Sequence, residues 1–295
     1  SMHRADPPPA LAKVPLAAGP ALAHADVNGD CFPDIVAVST NGTVIVVLAT
    51  HGRLMNEGDA AGADADASAS FAGPANGGLP SILDLDADGN VDIVIPTDEA
   101  VHVFLSAWTD NGVRRGGPGQ VCRPAGTPIP SFAAGPIVEL PSPLLTNANA
   151  SRAIPLPATV SWGDYDLDGR PDFVAVLQDC SSFAPPSPGL ASPVALPPHA
   201  NSSCASLWRG DGARGNFTLQ VPAAGAGEAD DVVSALYALR GVTSAGFVDL
   251  FARGRPDLLV NFVADDGTSR VAAFANALPM LDDHYFVTAV GLSPV

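Results

Sequence analysis

Short apolar runs rich in Val and Ile recur along the chain, bounded by Gly, Asp, Asn or Pro. Ile35–Val38, Thr43–Leu48, Ile93–Ile95, Val101–Leu105, Phe173–Leu177, Leu258–Phe262 and Arg270–Phe274 have the length and β-branched content of strands. Most fall in pairs, and Asn41-Gly42 between the first two is a strong two-residue hairpin signal. Thinner runs near Phe71 and at Ile137–Leu140, Thr159–Trp162, Ser206–Arg209, Asn216–Val221 and His284–Leu292 supply further strands. Long helix-period runs of the kind an α/β enzyme needs are hard to find. The pattern predicts an all-β chain of short strands, with 50–79 mostly loop and 106–150 and 181–203 as Gly/Pro/Ser-rich insertions.

The polar positions repeat as well. The stretch Gly163–Val176 reads G-D-Y-D-L-D-G-R-P-D-F-V-A-V. Counting Asp164 as position 1, carboxylates stand at positions 1, 3, 5 and 9 (Asp164, Asp166, Asp168, Asp172), and Gly169 is at position 6. Loop 84–92 repeats this with Asp84, Asp86, Asp88, Asp92 and Gly89. Loop 26–34 keeps oxygen ligands at Asp26, Asn28, Asp30 and Asp34, but its glycine is Gly29, at position 4. Four carboxylates so close repel one another without a cation. An all-oxygen donor set suits a hard ion, and Ca²⁺ is the economical choice. We expect about three Ca²⁺ sites, structural in role, against the plainer alternative of acidic turns without metal. The fourth copy, loop 249–257, keeps Asp249, Gly254 and Asp257 but has Phe251 and Arg253 at positions 3 and 5. It is expected to hold no ion, with the Arg253 guanidinium bridging Asp249 and Asp257.

An EF-hand shares positions 1 to 6, but it needs Glu at position 12 and flanking helices. Position 12 is Ala37, Ile95 and Ala175, each inside a strand run. Here Asp at position 9 closes the chelate and leads straight into a strand. First ligands lie 58, 80 and 85 residues apart (26, 84, 164, 249). That period holds about four strands plus an insertion, which points to a β-propeller rather than a solenoid.

On these residues the repeats resemble FG-GAP repeats of the integrin α-subunit propeller, and are more similar still to the T-cell immunomodulatory protein family of cell-surface propellers. Gly163–Val176, Leu83–Ile95 and the closing Ala275-Asn276-Ala277 with His284-Tyr285-Phe286-Val287 carry the likeness. The resemblance implies four-stranded blades, about seven in all, Ca²⁺ at several loops and a membrane anchor beyond the propeller. It also implies binding of a protein ligand or receptor at the cell surface, with no catalysis. Four repeats fall short of seven, so part of a propeller is expected over 16–295, after an extended arm or cloning remnant at 1–15. A partial propeller leaves a raw sheet face, so self-association is expected to be possible.

Composition adds three constraints. Net charge is −17, which excludes a basic nucleic-acid-binding face. Three bound dications would cancel six of those charges. The four cysteines allow two disulfides. Cys180 and Cys204 flank the ends of antiparallel neighbours, so they are expected to pair; Cys31–Cys122 follows by elimination. With sequons at Asn41, Asn149, Asn201 and Asn216, this suits an extracellular or cell-surface glycoprotein from the secretory pathway. No uninterrupted apolar run of about 20 residues is present to span a membrane.

Enzymatic motifs are not found. The histidines show no metal spacing, and G-x-S-x-G and P-loop patterns are missing. Pairs such as Asp265-Asp266 sit at turns. Two alternatives stay open: a lectin-like propeller, which needs exposed aromatic residues, and a non-catalytic propeller domain of a secreted hydrolase. Arg114-Arg115, Trp108, Trp162 and Trp208 are better explained by a solvated loop and by blade packing than by partner or sugar contacts.

Overall fold

The structure, a computed structural model, describes residues 21–50, 53–54, 68–107, 122, 129–145, 159–180, 202–211, 215–221 and 232–276. The arm at 1–15, the strand expected at 284–292, Arg114-Arg115, Trp108, Asn149 and Asn201 lie outside the described residues.

The described chain is largely β. The first sheet holds β1 (Leu22–Ala25), β2 (Asp34–Val38), β3 (Thr43–Val47) and β6 (Ser68–Ala72). Between β3 and β6 comes a small pair, β4 (Ala49–Thr50) and β5 (Arg53–Leu54). The second sheet is β7 (Ser81–Leu83), β8 (Asp92–Pro96), β9 (Ala100–Ala107) and β10 (Ser131–Glu139). The third is β11 (Val160–Gly163), β12 (Asp172–Leu177), β13 (Cys204–Gly210) and β14 (Phe217–Leu219). A three-stranded sheet follows: β15 (Val242–Val248), β16 (Asp257–Val263) and β17 (Ser269–Phe274). Each sheet is an antiparallel meander in chain order, with the acidic loop joining its first two strands.

Sequence explains why the sheets stack. The run Ile93-Val94-Ile95 has no polar face, so both faces of β8 need cover, and all three residues are fully buried. Ile93 and Ile95 pack with Val36, Val38, Val44 and Val46 of the first sheet. Val94, pointing the other way, packs with Phe173, Ala175 and Leu177 of the third. Val174 in turn meets Val242, Leu258 and Val260 of the fourth. Successive sheets therefore lie face to face in chain order, and each such buried Val, Ile or Leu contributes about 1.5–3 kcal/mol. Gly163 is required by this packing, since a Cβ there would come within 2.6 Å of the Phe247 ring.

Several expectations change. In stretch 50–79 the strand expected near Phe71 is β6, and the small β4–β5 pair is an addition. The outer strand expected at 137–140 is the nine-residue β10, whose register slips between Ala134 and Ile137. Pro136 has no N–H to give the ladder there. A short helix, α1 (Val232–Ala238), was not foreseen. It buries Leu236 and Tyr237 against the cores of the third and fourth sheets.

Two disulfides form: Cys180–Cys204, with Cα atoms 5.9 Å apart, and Cys31–Cys122, at 5.4 Å. The first closes the base of the β12–β13 connection. The second ties the tip of the first acidic loop to the insertion after β9. Asn41 and Asn216 are both exposed, as a glycan acceptor must be. Among the described residues no helix is long and apolar enough to cross a membrane.

Candidate metal centres

One hydrogen-bond frame builds all four acidic loops. At position 1, Asp26, Asp84, Asp164 and Asp249 each accept two backbone N–H groups, from positions 5 and 6. The pairs are Asp30 and Cys31, Asp88 and Gly89, Asp168 and Gly169, and Arg253 and Gly254, at 2.7–3.2 Å. In the first three loops the side chain at position 3 accepts from position 5, and that at position 5 accepts from position 7.

This winding needs a left-handed backbone at two places. Positions 4 and 6 have positive φ in every loop: Gly29 and Cys31, Ala87 and Gly89, Leu167 and Gly169, Ala252 and Gly254. The displaced glycine of loop 26–34 is thereby explained. That loop puts its glycine at position 4 and accepts the left-handed strain at Cys31, whose sulfur is anchored to Cys122.

Position 9 acts as a staple. Asp34, Asp92, Asp172 and Asp257 open β2, β8, β12 and β16, and all are buried. One oxygen accepts the N–H of position 2: Val27, Leu85, Tyr165 or Leu250, at 2.7–3.1 Å. The other accepts an N–H just past the third strand or at its end: Ala49, Ser106, Gly210 or Asn276, at 2.8–2.9 Å. The sequence spacing assigned this residue only to closing a chelate. In the structure it ties the loop to the hairpin, with one lone pair per oxygen left over. Burial pushes the carboxyls of Asp34, Asp92 and Asp172 up to about 6, against the lowering effect of those backbone bonds. Burial also raises Asp86 and Asp164, with repulsion from neighbouring loop carboxylates adding to it.

Position 2 points the other way. Val27, Leu85 and Tyr165 are buried in the interface with the following sheet. Leu250, whose sheet is the last described, is 40% exposed.

Two loops bring three carboxylates together. Oxygens of Asp84, Asp86 and Asp88 lie within 4.8 Å of one another, and so do those of Asp164, Asp166 and Asp172. Ligands on opposite sides of a Ca²⁺ ion, each about 2.3–2.6 Å from it, have about that separation. The donors are all hard oxygens, so both sets fit Ca²⁺. Asp92 and Asp168 fall outside these triads, and no triad forms in loop 26–34 among the described residues. There Asn28 replaces a carboxylate and its Nδ2 donates to Asp30.

Loop 249–257 is organised around a guanidinium. Arg253 Nη2 lies 2.6 Å from Asp257 Oδ1, and its guanidinium sits 4.8 Å from the Phe251 ring centre. The expected bridge to both carboxylates is thus half made by the side chain. Asp249 is engaged by the Arg253 and Gly254 backbone N–H groups, which hold its carboxyl below the usual range. Two further participants were not among the ligand positions read from the sequence, although Asn276 stands in the closing Ala275-Asn276-Ala277 stretch. Asn276 is fully buried and donates through Nδ2 to the Tyr165 carbonyl at 2.6 Å, joining the last two loops. Arg209 of β13 forms an ion pair with Asp166.

The tryptophans that are described, Trp162 and Trp208, pack on Phe173 inside the core between the second and third sheets. They present no sugar platform.

No family description matches the chain, and no curated protein matches it. A solved structure, "Crystal structure of BBS1N in complex with ARL6DN, soaked with mercury", is similar to it with a TM-score of 0.27 and 8% identity, over 87% of this chain and 80% of that one. So low a score carries no argument about fold or function.

Proposed function

We propose that the chain is part of a calcium-stapled β-propeller of FG-GAP type, working outside the cell as a non-enzymatic scaffold for protein contact. The observation that carries the reading is the pairing of two three-carboxylate clusters with a hydrogen-bond frame repeated in four stacked sheets. Ca²⁺ would be held by Asp84, Asp86 and Asp88 in one loop and by Asp164, Asp166 and Asp172 in another. Asp92 and Asp168 complete the charge around these sites. Loop 26–34 is the weaker third site. The ion supplies charge neutralisation and stiffness at the sheet rim, and no step of chemistry.

Two disulfides, exposed sequons at Asn41 and Asn216, and buried tryptophans support an extracellular scaffold over a lectin. The insertions within 106–150 and 181–203 supply the variable contact surface. Isothermal titration with Ca²⁺ tests the metal reading. Two tight sites are expected, one lost in Asp88→Ala and the other weakened in Asp168→Ala. Absence of saturable binding would remove the reading.

A further inference from the structure

We propose that Arg209 is a tethered competitor for the cation of loop 164–172, making that site weaker and more readily vacated than loop 84–92. The proposal rests on the metal reading above and concerns how one site is tuned.

Arg209 lies near the end of β13, paired with Thr218, one residue before the Gly210 N–H that binds Asp172. That register brings its guanidinium onto Asp166 Oδ2, a member of the carboxylate triad. The same register in the other sheets is filled by Leu48, Leu105 and Ala275, which carry no charge. Among the four loops, two therefore have an arginine on a loop carboxylate, and they differ in one respect. In loop 249–257 the arginine comes from within, and the side chains at positions 3 and 5 are no longer carboxylates. In loop 164–172 all four carboxylates remain, and the arginine reaches in from another strand.

Exposure makes the exchange workable. The Asp166 side chain is 11% exposed, whereas that of Arg209 is 46% exposed. When a divalent ion takes Asp166, the guanidinium can move into water without unpacking a core. Until then it offsets part of the carboxylate repulsion. Ion binding must break the pair first, and a partly exposed pair reduces affinity by up to about fivefold.

The test uses Tb³⁺ and Ca²⁺ on the whole chain. Tyr165 lies within loop 164–172, and Trp162 and Trp208 pack on Phe173 just beyond it, in the core that also buries Leu85 of loop 84–92. Tb³⁺ emission excited through these rings is read in an Asp88→Ala background, which removes the site in loop 84–92, so that it reports on the third loop, and Ca²⁺ competition gives its affinity. Arg209→Gln should bind Ca²⁺ about threefold to fivefold more tightly, with unchanged circular dichroism. Arg170→Gln, which removes the same charge from exposed position 7, should change affinity less than about twofold. Equal gains in both variants would replace specific competition with a general charge effect. Unchanged or weaker binding in Arg209→Gln, with wild type binding normally, would overturn the proposal alone. No binding in wild type or variant would overturn it together with the metal reading.

Discussion

Loops 164–172 and 249–257 share a backbone and differ in what occupies its centre. Both wind through left-handed residues at positions 4 and 6, both wrap position 1 with two N–H groups, and both staple position 9 to the hairpin. One gathers three carboxylates; the other holds an arginine. The comparison teaches that the frame does not depend on the ion. Backbone donors to two aspartates set the loop in both; a guanidinium answers the charge in one, and on the proposed reading a metal ion answers it in the other.

The largest expected effect strikes what the loops have in common. Asp172→Ala and Asp257→Ala each strip the acceptor from one buried and one partly buried N–H group. Each should lose about 3 kcal/mol in urea denaturation without Ca²⁺. A silent Asp257→Ala would break the comparison, because the staple would then matter only where metal binds.

Next come changes that separate the loops. Asp88→Ala and Asp168→Ala should leave ion-free stability nearly unaltered; the first should remove and the second reduce the stabilisation by Ca²⁺ at its own loop, which at a hundredfold excess over Kd is worth about 2.7 kcal/mol per site. Arg253→Ala should cost about 1 kcal/mol, equally with Ca²⁺ and with EGTA, since its partner lies in the loop without a metal triad. A loss seen only with Ca²⁺ would contradict that assignment.

The smallest effect is in pH. In the folded chain Asp34, Asp92 and Asp172 hold protons up to about 6, because burial disfavours their charged form; unfolded, they release them near the ordinary 3.8. Between those values the folded state binds more protons. Their contribution to ion-free stability therefore rises as pH falls from 7 to 5. The gain from Ca²⁺ should shrink over the same interval, since protons compete for Asp172. Melting curves at pH 7.5 and 5.0, with and without Ca²⁺, should converge at the lower pH.

Much of this was legible in the chain. β-branched runs marked most strands, the Asp spacing marked the loops, and Arg253 stood where a ligand was missing. What stayed hidden depends on register or backbone angle. Ala87, Leu167 and Ala252 are left-handed without a residue type that announces it. The double role of position 9 leaves the 1-3-5-9 spacing unchanged. Arg209 lies 43 positions beyond Asp166, and only the pairing of β12 with β13 brings them together. Helix α1 is seven residues long with no acidic first turn or basic last turn, so tertiary packing of Leu236 and Tyr237 decides it.

The most direct test of the frame-and-cation account is a thermal melt of the wild-type chain in Ca²⁺ and in EGTA. The account predicts a folded, cooperative transition in both, with Tm higher in Ca²⁺ by several degrees, about 2–4 °C for each kcal/mol supplied. Identical melting temperatures would show that the carboxylate triads hold no ion of consequence. Loss of the folded transition in EGTA would show that the metal, and not the backbone frame, builds the loops.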